Sequence, residues 1–123
     1  MTPEGLQRLV AEDLALQRRG ALVDGVVRVD VGEESWFLTL AAGRVESAGH
    51  EAPAGPVRLR LAAPRAEWEA FWEPRPRPGH HDLLALMRRR VLTVEGDMHL
   101  FMAHLRYVKD LLEKPREAAG SAA

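Results

Sequence analysis

The spacing of hydrophobic residues changes several times along the chain, and each change marks a new element. Near the N-terminus Leu6, Leu9, Val10 and Leu14 recur at helical spacing. Thr2 is a suitable cap, Pro3 and Glu4 suit a first turn, and Gly20 suits a stop, which predicts one helix from Pro3 to Arg19. The period then falls to two. Val27, Val29 and Val31 alternate with Arg28 and Asp30, the mark of a half-buried strand. After Gly32-Glu33-Glu34, Trp36, Leu38 and Leu40 share a face opposite Phe37 and Thr39. Beyond Gly43 a weaker strand follows in RVESAGHE. Past the EAPAGP loop, Val57, Leu59 and Leu61 alternate with Arg58 and Arg60. Four consecutive strands joined by short turns predict an antiparallel meander.

Helical spacing returns after Pro64. Trp68, Phe71 and Trp72 fall at i, i+3 and i+4 and predict a short helix with one aromatic face. The alternating prolines of EPRPRPG exclude regular structure there. Asp82 is placed to cap a helix whose apolar face is Leu83, Leu84, Leu86 and Met87, with Arg88 to Arg90 at its C-terminal end. Leu92 and Val94 mark a fifth strand, and Asp97 is placed to cap a final helix. That helix carries two apolar stripes: Met98, Phe101, Met102, Leu105, Val108 and Leu112, and beside them Leu100, His104, Tyr107 and Leu111. Pro115 is expected to end it. The order predicts an α+β fold, a five-stranded, mostly antiparallel sheet covered on one face by helices. The expected organisation is a single domain over residues 1–114 with a flexible tail over 115–123.

Composition narrows the function classes. Lys and Arg total 17 against 18 Asp and Glu, a formal net charge of −1, which gives no reason to expect nucleic acid as partner. Cysteine is absent, so disulfides, thiolate metal sites and cysteine nucleophiles are excluded. No run of about eighteen apolar residues is present to form an integral membrane segment, and the charged N-terminus does not resemble a signal peptide. A cytoplasmic location is the expectation.

His80-His81-Asp82 suggests a metal, but adjacent residues converge poorly on one ion, no third ligand follows at motif spacing, and Asp82 is better read as a cap. His99 and His104 stand five apart, off the i, i+4 spacing of helical metal sites. Neither a metal nor a cofactor is expected. No GxSxG, Gly-rich phosphate loop or HExxH is present, so no catalytic residue is assigned. The aromatic cluster and the last helix remain. Each is either ordinary core or the wall of an apolar site, and methionines suit an irregular ligand.

Several features in order resemble the sterol carrier protein type 2 (SCP2) family of lipid-binding domains. They are Gly25 before the Val27 to Val31 alternation, Trp36 with Leu38-Thr39-Leu40 and Gly43-Arg44-Val45, and the Arg/Leu strand from Val57 to Leu61. A helix containing Trp68 and the closing run Leu92-Thr93-Val94-Glu95-Gly96-Asp97-Met98 complete the set. The resemblance covers Leu22 to Leu112. It implies an apolar tunnel between sheet and helices that accepts sterols, fatty acyl chains or other lipids, with no shared catalytic residues. The Pro-rich loop from Pro74 to Pro78 and Arg88-Arg89-Arg90 depart from the family pattern.

The function expected is non-catalytic binding or carriage of a lipid or other apolar small molecule, with transient membrane contact as a further option. Trp36, Leu38 and Leu40 would form the floor of the site. Trp68, Phe71, Trp72, Leu84 and Met87 would form its wall, and Met98, Phe101, Met102 and Leu105 its lid. One rival is an interaction or homodimerisation module, in which Tyr107 and Leu111 bury against a partner. Another is a small cone-shaped isomerase-like enzyme, which a buried carboxyl with a raised pKa, at Asp30 for example, would favour.

Overall fold

The computed structural model of the chain describes residues 1–122. One sheet contains β1 (Gly25–Val31), β2 (Glu34–Ala41), β3 (Arg44–Gly49), β4 (Val57–Ala63) and β5 (Thr93–Gly96), in the order β3-β2-β1-β4-β5. The β1–β2 and β2–β3 pairs are antiparallel, as the alternation predicts. β4 breaks the expected meander. It pairs with β1 and runs parallel to it, with Val27 beside Leu59 and Val29 beside Leu61. Residues 50–56 are therefore a crossover, not a hairpin. The pairing sets Leu59, Leu61 and Ala63 against the inward valines of β1, which makes β1 the central, doubly flanked strand. β5 closes the other edge antiparallel to β4. The sheet is mixed and mostly antiparallel, and the fold is α+β.

The helix expected over Pro3 to Arg19 is two helices, α1 (Pro3–Ala11) and α2 (Leu14–Arg19). Asp13 causes the break. Its carboxylate accepts from the Leu16 N–H at 3.0 Å and starts α2, while the Gln17 side chain donates to Val10 O at 2.8 Å at the end of α1. Gln7 of α1 donates to Val45 O at 3.1 Å and Glu46 O at 3.0 Å on the edge strand β3. Next come α3 (Arg65–Phe71) and α4 (Leu83–Arg88), separated by the Pro-rich loop. Asp82 caps α4 through the Ala85 N–H at 2.8 Å.

The final helix also divides, into α5 (Met98–Ala103) and α6 (Leu105–Ala122). Asp97 caps α5 through the Leu100 N–H at 2.9 Å. Gly96 before it has φ +111°, and a Cβ there would collide with Arg58 O, so the β5–α5 joint requires glycine. The break at His104 changes the phase of the two stripes. Tyr107 and Leu111, expected to face a partner, are buried inside the chain instead. Tyr107 lies over Gly20 and donates its hydroxyl to Gly43 O at 2.7 Å. Gly43, at φ +79°, packs so closely on Gln17 O that no Cβ could stand between them. α6 thus locks onto α2 and the β2–β3 turn. Pro115 does not end α6, which continues to Ala122, so residues 115–122 of the segment expected as a tail are helical; residue 123 lies outside the described residues.

Candidate functional site

The inward face of the sheet and the helices above it form one apolar interior. Trp36, Leu38 and Leu40 are buried on β2, and Trp68, Phe71 and Trp72 are buried at α3. The three indoles form a stack. Trp72 lies between the other two, with centroids 5.5 Å from Trp36 and 5.7 Å from Trp68, and Phe71 meets Trp68 edge-on at 5.8 Å. The floor and aromatic wall expected from the sequence therefore come together.

Other expected members do not join them. Leu84 is 36% exposed, Met98 40% and Met102 58%, so these three face outward. Phe101 is buried, and Met87 and Leu105 pack at the margin of the core. The Met98–Met102 stripe is not a lid over the indoles. Within α5, Met98 and Met102 stand exposed while Leu100 and Phe101 turn inward.

Polar contacts at the margin hold the aromatic wall in place. Trp68 Nε1 donates to Asp30 O and Trp72 Nε1 to Leu112 O, each at 2.9 Å. Arg116 donates to Phe71 O at 2.7 Å and His81 O at 3.2 Å, and its guanidinium lies 4.9 Å from the Phe71 ring centroid. It thereby satisfies the C-terminal end of α3, where cations are favoured. The sequence carries no local signal for this role, because Phe71 and Arg116 are distant in the chain. Beside them a surface groove of about 450 Å³ is lined by Met1, Glu69, Trp72, Glu73, Pro74 and Pro115, among others.

The far face of the sheet has different chemistry. Asp30 sits between two arginines, 2.8 Å from Arg28 Nε and 2.7 Å from Arg60 Nε. Arg60 also approaches Glu95 at 3.4 Å, and Arg28 lies over the Phe37 ring at 5.5 Å. Burial pushes the Asp30 carboxyl up, but hydrogen bonds from Arg28, Ser35 and Arg60 outweigh it and hold the group below the ordinary carboxylate range. That is the opposite of the raised carboxyl an isomerase-like base needs. His80, a candidate metal ligand by sequence, contacts Glu67 at 2.8 Å, and Arg89 contacts the same carboxylate at 2.9 Å. These contacts pin the Pro-rich loop to α3.

The architecture is a mixed five-stranded sheet with helices over an aromatic, apolar interior. The model of the SCP-2 sterol transfer family matches residues 5–109, and the chain belongs to that family. Among solved structures it is similar to a crystal structure of sterol carrier protein 2, with TM-score 0.75 and 16% identity over 93% of this chain and 92% of that one. It is similar to a conserved hypothetical protein from Thermus thermophilus, with TM-score 0.67 and 16% identity over 97% and 90% of the two chains. A ubiquinone synthesis protein, UbiJ-SCP2, matches with TM-score 0.57 and 21% identity over 98% and 91%. No curated protein matches the chain. Among the described residues no helix is long and apolar enough to cross a membrane.

Proposed function

We propose that the protein binds and carries an apolar or amphipathic ligand, a sterol, acyl chain or other lipid, without altering it chemically. The observation that carries this reading is the interior itself, where the floor from β2 faces the aromatic wall of α3. Its buried members are aromatic or aliphatic, and the buried charges of the described residues lie elsewhere. Asp30 is held by arginines on the far face, and Lys114 is 2.7 Å from both Asp13 and Glu117. A long chain taken up against these side chains would gain roughly 0.8 kcal/mol per buried CH₂, enough to bind without a polar motif. Entry requires the indole stack to give way, and Trp72 is its member bordering the surface groove.

Native mass spectrometry of the protein purified without detergent should show a bound lipid mass. The delipidated protein should take up a fluorescent sterol or fatty-acid methyl ester and release it to acceptor vesicles. Absence of both bound lipid and uptake would overturn the reading. Tyr107 and Leu111, the residues the interaction-module rival would place against a partner, are buried within the chain.

A further inference from the structure

The three stacked indoles differ in one respect. Trp68 and Trp72 each donate to a backbone carbonyl at 2.9 Å. Among the described residues, the Trp36 Nε1–H meets no acceptor, although the side chain is 1% exposed. Buried N–H groups are nearly always paired, because an unpaired donor forfeits its hydration with nothing in return. Trp36 also lies on the floor of the proposed site and stacks on Trp72, which reaches the surface groove.

We propose that the Trp36 indole N–H is the polar anchor of the ligand site, donating to one neutral acceptor oxygen of an otherwise apolar ligand. The chemical class is an alcohol, ketone or ester with a long hydrocarbon portion. A carboxylate does not fit. One neutral donor does not offset the desolvation of an ion, and the buried cation Lys114 is already shared between Asp13 and Glu117. The inference rests on the carrier reading and deepens it by naming the acceptor and its partner.

The test uses matched ligands of equal chain length, a long-chain alcohol, the methyl ketone and the alkane, titrated into the delipidated full chain. Satisfying a buried donor is expected to favour the two oxygenated ligands over the alkane by about ten- to a hundredfold. Trp36→Phe, which keeps an aromatic floor and removes the N–H, should erase that preference while still binding the alkane. In parallel, ¹⁵N-edited spectra of the wild type follow the three indole N–H signals and need no variant to fold. The alcohol and the ketone should move the Trp36 signal downfield, and the alkane should not. A preference that survives in Trp36→Phe, no preference in the wild type, or an unmoved Trp36 signal in the bound state each overturns the anchor while leaving the carrier reading intact. Failure of all three ligands to bind overturns the carrier reading, and the anchor with it.

Discussion

The two faces of the sheet are built from the same strands yet solve opposite problems. Toward the helices, Val27, Val29, Leu38, Leu59 and Leu61 are buried among the indoles, and stability comes from close packing. On the far face, Arg28, Asp30, Arg60 and Glu95 lie side by side across β1, β4 and β5, each charge balanced by its neighbour. The alternation of a strand assigns each residue to one chemistry or the other, so one insertion in β1 would exchange them. The charges of the far face are thus partnered within the chain. The inner face carries the buried donor that meets no acceptor among the described residues, Trp36 Nε1.

Substitutions across the two faces put this contrast to the test. The largest effect is expected on the inner face. Trp68→Ala should cost roughly 3–5 kcal/mol, read by urea unfolding, since it opens a cavity and removes the indole's bond to Asp30 O. Next is Asp30→Asn on the far face, expected to cost roughly 1.5–3 kcal/mol at neutral pH through loss of charge-assisted bonds. The pH dependence isolates the charge. The folded Asp30 carboxyl is depressed, so its contribution is full above the unfolded value near 3.8 and is lost as pH falls through the lower folded value. The stability gap between wild type and Asp30→Asn should therefore close in acid; a gap constant from pH 7 to pH 2 would show that the carboxylate charge is not what holds the far face.

Tyr107→Phe is smaller, about 1 kcal/mol, because it removes one bond to Gly43 O and keeps the ring against Gly20. Met102→Ser should change stability by less than about 0.5 kcal/mol, as the side chain faces outward. If its thermal unfolding fell as far as that of Tyr107→Phe, the exposed stripe would be packed on something.

The sequence shows these faces clearly, because period two is a local property and both the inward valines and the outward arginines obey it. It does not show which strand β1 accepts on its second edge, since pairing with β4 is settled by tertiary fit and short turns bias the expectation toward a meander. Caps are legible at Asp82 and Asp97, where side chain and target lie within one turn. The break at His104 is not, nor is the exposure of Met98 and Met102 beside the burial of Tyr107 and Leu111. Of the candidate site, the aromatic cluster is visible from spacing alone. That Trp36 lacks an acceptor while its two neighbours have one depends on carbonyls at Asp30 and Leu112, far away in the chain from the tryptophans they serve.

One small contact matters for the protein in company. β3 is an outer strand, and such strands invite a second chain to add to the sheet. The Gln7 amide occupies the carbonyls of Val45 and Glu46, so the first half of that edge is already taken by a helix of the same molecule. Protection of that sheet edge is thus partly written into α1.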